Sequence, residues 1–81
     1  MKYQAQVAIT LKPGISDPQG LTIERALPAL GYEGVEGVRV GKRVDLTLEA
    51  DSEEDAHRTV TEMCERLLAN TVIESYEVTI T

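Results

Sequence analysis

The chain has 81 residues, too few for a second domain, and a chain of this size buries only roughly 60% of the surface it exposes when unfolded, so its core is marginal. Its residues are 42% hydrophobic with no Phe and no Trp, so the core is aliphatic and three Tyr are the only stacking platforms. Fourteen acidic residues against eight basic ones give a net charge of −6, which disfavours nucleic acid and anionic membrane surfaces as partners; the densest basic group is Arg39, Lys42 and Arg43.

In chain order, Tyr3, Ala5, Val7, Ile9 and Leu11 alternate with Gln4, Gln6, Ala8 and Thr10, the period-2 pattern of a half-buried strand. Pro13-Gly14 suits the centre of a type II turn, since proline presets φ at the second position and glycine supplies positive φ at the third. Asp17 then caps a helix, with Pro18 in the first turn, where a missing N–H costs nothing. That helix is expected over Pro18–Leu30, with Ile23, Ala26, Leu27 and Leu30 as its apolar stripe and Gly31 ending it. Pro28 removes a donor near its end, so a kink or an early end to regular helix is expected.

Val35–Val40 and Val44–Leu48 flank Gly41-Lys42 and read as an antiparallel hairpin. A second helix starts at Ser52, with Glu53, Glu54 and Asp55 at the positive end of its dipole. Ala56, Val60, Met63, Leu67 and Leu68 follow at helical spacing, and Asn70 is expected to end the helix in the left-handed conformation. A last strand is expected over Val72–Ile80. The order βαββαβ predicts a single α+β domain over residues 1–81, with ferredoxin-like topology: a four-stranded antiparallel sheet and two helices on one face. Its other face would carry Gln4, Gln6, Ala8, Thr10, Asp45, Thr47, Glu77 and Thr79, polar but mostly compact, and would stay wet or pack on another subunit.

Candidate chemistry is sparse. His57 lies off the apolar stripe with no nucleophile near it in sequence, and reads as a solvated surface histidine. Cys64, the single cysteine, has no partner for a disulfide or a CxxC metal site; it reads as a buried thiol and points to a reducing compartment. Glu53, Glu54 and Asp55 are consecutive on a helix and so point in different directions, which favours the dipole over a metal as their explanation. Neither GxxxxGK[ST] nor GxGxxG occurs. The start reads as strand, without the basic and apolar segments of a signal peptide, and no apolar run approaches the roughly 20 residues of a membrane span, so the cytoplasm is expected. The residues describe a module that binds, and no catalytic, cofactor-binding or metal-ligating residue is assigned.

The segments LKPGISDPQG, LGY, VRVGK and MCERLLANTVIESYEV, spread from Leu11 to Val78, resemble the PurS family, the small subunit of bacterial and archaeal phosphoribosylformylglycinamidine (FGAM) synthase. Two positions depart from the family pattern: Thr71, where members often carry proline, and Pro28. The resemblance implies a non-catalytic subunit of an ATP- and glutamine-dependent amidoligase complex. In that complex a large synthetase subunit uses ATP and Mg to convert FGAR to FGAM, and a glutaminase subunit releases ammonia. The small subunit, as a dimer or tetramer, joins them and supports ammonia transfer. It also implies a docking surface, for which the candidates here are Asp17, Gln19 and Gly20 at the first helix start and Arg39, Gly41 and Lys42 at the expected hairpin tip. The alternative from topology alone is an amino-acid-binding regulatory domain.

Overall fold

β1 (Lys2–Leu11) is the central strand of a sheet in the order β2-β1-β3, where β2 is Gly41–Glu49 and β3 is Glu74–Ile80 and both run antiparallel to it. The computed structural model describes all 81 residues, Met1–Thr81. Pairing with β2 extends from Lys2 opposite Glu49 to Thr10 opposite Gly41, and pairing with β3 from Ala5 opposite Ile80 to Leu11 opposite Glu74. Because side chains alternate across a strand, this register puts Ala5, Val7 and Ile9 on one face with Val44, Leu46, Tyr76, Val78 and Ile80. The polar residues expected on the other face are exposed there.

α2 (Glu53–Met63) covers β1 and β3. Ser52 caps it, its Oγ accepting the Asp55 N–H at 3.1 Å, and Ala56, Val60 and Cys64 recur every four residues as a fully buried ridge. The helix then widens into a π turn at Cys64–Leu68, closed by the Ala69 N–H on the Cys64 carbonyl. One extra residue in that turn shifts the stripe by one place, so Leu68 packs on the core and Leu67, expected inside, stands exposed. Asn70 does not end the helix in a left-handed conformation, since no residue but glycine has positive φ. Ala69 is extended, and Asn70 instead forms a local turn in which its Oδ1 accepts the Val72 N–H at 3.2 Å. β3 accordingly begins at Glu74, two residues later than the pattern predicted, following Thr71.

The fold is α+β, but the sheet has three strands and the predicted fourth is absent. Residues 35–40 form no strand, and there is no hairpin at Gly41-Lys42: β2 begins with that dipeptide, Gly41 opposite Thr10 and Lys42 opposite Ile9. The backbone donors that would have joined a strand ladder find side-chain acceptors instead, Val38 N–H on Glu24 Oε1 at 3.1 Å and Val40 N–H on Asp17 Oδ2 at 2.7 Å.

α1 (Pro18–Ala26) continues as a 3₁₀ turn over Leu27–Leu30, where Pro28 breaks the regular helix as expected, and ends at Gly31 with φ of 96°. Contrary to expectation, α1 has no extended packing on the sheet or on α2. Residues 18–40 therefore form an arm beside a body made of the sheet and α2. The molecule measures 51 × 26 × 14 Å with a radius of gyration of 16.2 Å, against about 12 Å for a compact chain of this length. No helix is long and apolar enough to cross a membrane.

Candidate functional site

The joint between arm and body collects the six residues singled out as a docking surface. Lys12-Pro13-Gly14-Ile15 makes the expected turn, with Gly14 at φ 87° and the Ile15 N–H on the Lys12 carbonyl at 3.1 Å, and delivers Asp17 to the start of α1. Asp17 is buried and uses both oxygens: Oδ1 accepts the Gly20 N–H at 2.9 Å and Oδ2 the Val40 N–H. These two N–H groups, with smaller help from Arg39 and the Gln19 N–H, hold its carboxyl below the usual carboxylate range despite the opposing effect of burial.

Gly20 is also buried, for a steric reason. A Cβ there would lie 2.2 Å from the Val38 carbonyl oxygen, so the return leg of the arm crosses the first turn of α1 at a distance only glycine allows. Gly41 faces a similar limit at 2.5 Å from the Ile9 carbonyl oxygen.

Arg39 does not project from a hairpin tip. Its guanidinium folds back onto the turn, donating to the carbonyls of Ile15 at 3.0 Å and Lys12 at 3.2 Å, with Nε 4.0 Å from Asp17. The expected cluster of three basic residues is also dispersed. Alternation along β2 sends Lys42 and Arg43 to opposite faces, and Arg43 is paired with Asp45 at 2.8 Å. Lys42 is exposed and makes no ion pair, while Gln19 is exposed beside it. Asp17, Gln19, Gly41 and Lys42 line one shallow cleft with Pro18 and Glu74, so the structure does bring the two stretches together. Asp17, Gly20, Arg39 and Gly41 shape this seam, and Gln19 and Lys42 are what it presents.

His57 is exposed, 3.5 Å from a Thr61 hydroxyl that already donates to the His57 carbonyl at 2.8 Å. Cys64 is buried, and burial first and Glu65 second push its thiol up, away from the reactive thiolate. Of the three acids at the start of α2, Asp55 is taken by Arg58, and no three His, Cys, Asp or Glu side chains converge anywhere.

Two features escaped the sequence reading. The Tyr76 hydroxyl donates to Glu65 Oε2 at 2.7 Å, and this bond, reinforced by burial, pushes its pKa up to about 12. The other is apolar: Ile23, Leu30, Tyr32 and Val35 on the arm, and Leu67 and Val72 at the far end of the body, are exposed. The stripe on α1 was legible as apolar, and Pro28 gave the only sign that it would not pack as an ordinary core helix.

Comparison with known proteins gives one consistent result. A family model described as PurS, phosphoribosylformylglycinamidine (FGAM) synthase, matches residues 4–81. Phosphoribosylformylglycinamidine synthase subunit PurS of Synechocystis is 47% identical over 74 residues, 91% of this chain and 74% of that protein, and the same subunit of Methanocaldococcus jannaschii is 46% identical over 76 residues, 94% and 92%. Among solved structures, M. jannaschii PurS, described as one of the subunits of formylglycinamide ribonucleotide amidotransferase in the purine biosynthetic pathway, superposes with a TM-score of 0.87 at 43% identity, covering 98% of this chain and 95% of the other. A chain in the structure of PurLQS from Thermotoga maritima superposes with a TM-score of 0.91 at 34% identity, covering 100% and 99%.

Proposed function

The chain belongs to the PurS family, and from that premise we propose that it is the small, non-catalytic subunit of FGAM synthase in purine biosynthesis. It joins the glutaminase and synthetase subunits, as an oligomer and in the cytoplasm, and supports transfer of ammonia for the glutamine- and ATP-dependent conversion of FGAR to FGAM. ATP and Mg belong to the synthetase subunit in this reading, and this chain holds neither. The observation that carries it is the match along the whole chain to a chain of the PurLQS structure.

Within this reading, the seam between arm and body is one docking surface for a larger subunit. Gln19 and Lys42 make contact there, while Asp17, Gly20, Arg39 and Gly41 keep the two stretches in register. Reconstitution tests the assignment. The glutaminase and synthetase subunits of the same organism should give glutamine-dependent FGAM formation only when this chain is added, whereas the ammonia-dependent reaction of the synthetase should not require it. Glutamine-dependent turnover that is equal with and without the chain would sink the reading.

A further inference from the structure

We propose that Lys12 is a positioning residue for docking: its ammonium staples the turn that leads into the arm to the turn that leads into β3, and so holds the walls of the seam at the spacing a larger subunit meets. This deepens the docking reading above and rests on it for the seam as the surface of contact.

Lys12 bonds to three segments at once. Its N–H donates to the Ile73 carbonyl at 2.8 Å, its carbonyl accepts from the Ile15 N–H at 3.1 Å and from Arg39 Nη2 at 3.2 Å, and its Nζ donates to the Thr71 carbonyl at 2.7 Å. The residue is half-buried and its side chain enters no ion pair, so a backbone carbonyl is what its charge meets within the chain. A charge-assisted bond of that length is among the stronger kinds. The bonds from the backbone of Lys12 survive any side-chain exchange, and the Nζ bond alone requires lysine.

The place of the staple decides what it controls. The cleft takes its walls from three places: Pro18 and Gln19 at the start of α1, Gly41 and Lys42 at the start of β2, and Glu74 at the start of β3. Pairing with β1 fixes Gly41 opposite Thr10 and Glu74 opposite Leu11, but both ladders end there, and the α1 wall hangs on the chain that follows Leu11. Lys12 ties that chain to Thr71 and Ile73, just before Glu74. None of these three residues belongs to the core, so losing the Nζ bond should loosen the seam and leave the body packed. Docking then draws on the fraction of molecules whose walls are in place, and apparent affinity falls by that fraction.

The acceptor turn offers a way to restore the seam without the ammonium. Thr71 holds the second position of a turn closed by the Ile73 N–H on the Asn70 carbonyl at 3.0 Å, where proline is favoured, and its own N–H donates to no group in the chain. Thr71→Pro should stiffen the turn at no cost in hydrogen bonds, and the Lys12 N–H bond to Ile73 then suffices to register the two turns.

Reconstitution with the glutaminase and synthetase subunits tests this. Lys12→Met keeps the stem and removes the donor. It should raise the chain concentration that gives half-maximal glutamine-dependent turnover about tenfold and leave turnover at saturating chain within about twofold. Adding Thr71→Pro to Lys12→Met should return the half-maximal concentration to within about threefold of the native value. In the isolated Lys12→Met chain, hydrogen exchange should quicken at the Ile73 and Glu74 amides and stay unchanged at Val7 and Ile9. Three results overturn the proposal: a half-maximal concentration that stays native whatever the unfolding midpoint does, which would leave Lys12 a purely structural residue; a loss confined to turnover at saturating chain; or a double variant no better than Lys12→Met. A native chain that supports no glutamine-dependent turnover would sink the subunit reading and this proposal with it, whereas those three results strike the proposal alone.

Discussion

The body and the arm are held together by different physics. Every buried apolar side chain belongs to the body: Ala5, Val7 and Ile9 on β1, Ala56, Val60 and Cys64 along α2 and its π turn, and Ala69 just beyond. From Asp17 to Val40 only Asp17 and Gly20 are buried, a capping carboxylate and a glycine. The arm keeps its shape through directional bonds from Asp17, Glu24 and Arg39 to backbone groups, so it depends on a few placed atoms where the body depends on buried area. The two regions should therefore fail in different ways.

The largest effect should come from the body. Ile9→Ala leaves a cavity in the core and should cost about 3 kcal/mol, read as a fall in the unfolding midpoint of the whole molecule. Gly20→Ala should come next and act on the arm alone. The added methyl must displace the Val38 carbonyl, a backbone atom, so the return leg has to detach. Hydrogen exchange should quicken at the Val38 and Val40 amides while the β1 amides keep their protection. Equal loss of protection in β1 would show that the two regions are one cooperative unit.

What could be read in the sequence divides along the same line. The body was legible because β1 and α2 carry strong periodic signals whose packing partners lie in the same chain. Even there the π turn at Cys64–Leu68 was silent, and it moved Leu67 outward. In the arm the local chemistry was legible, from Pro13-Gly14 through the Asp17 cap to Pro28 and Gly31. Its placement was not. Gly41-Lys42 is compatible with a hairpin turn and with the start of a strand, and the choice depends on β1 supplying Ile9 and Thr10 as partners, a long-range fact that a local pattern does not hold. Of the residues expected to dock, Asp17, Gln19, Gly41 and Lys42 line one cleft, a proximity between distant stretches that no local pattern holds, while Arg39 is bonded to backbone carbonyls within its reach.

Changes of pH should separate the regions with smaller effects. Asp17 titrates below its ordinary value of 3.8 because its charged form is hydrogen-bonded in the fold. The stability it contributes is therefore present above that value and lost as pH falls through the lower, folded one, so acid should loosen the arm first. Asp17→Asn should abolish this acid dependence and lower the midpoint at neutral pH, since its amide keeps an acceptor for Gly20 but turns a donor toward the Val40 N–H. Tyr76 gives the body the opposite signature. Its pKa is raised to about 12, so the contribution of its bond to Glu65 is complete below the ordinary tyrosine value of 10 and fades as pH rises from 10 toward 12. Ultraviolet titration should find a tyrosine ionising toward 12, and Tyr76→Phe should remove that late step; a titration curve that Tyr76→Phe leaves without losing a late step would contradict the bond.

The smallest effect on the isolated chain should be at Lys42, and for that reason it is the most informative about docking. Lys42 and Arg39 are both basic, three residues apart, yet Arg39 is bonded to the turn while Lys42 makes no ion pair. Arg39→Glu would place a carboxylate against the carbonyls of Lys12 and Ile15 and beside Asp17, so it should release the arm and lower the unfolding midpoint whether or not a partner binds there. Lys42→Glu leaves every intramolecular hydrogen bond in place, and its effect on the midpoint should fall within about 0.5 kcal/mol, as for an ordinary surface exchange. If the seam meets an acidic surface on a larger subunit, the same change should slow assembly by about tenfold or more at low salt, and the native complex should itself weaken as salt is added. Association rates measured for both variants, beside thermal unfolding of each alone, separate the two roles. A Lys42→Glu chain that assembles at the native rate would take Lys42 out of the interface, and any loss seen with Arg39→Glu would then belong to the arm's architecture.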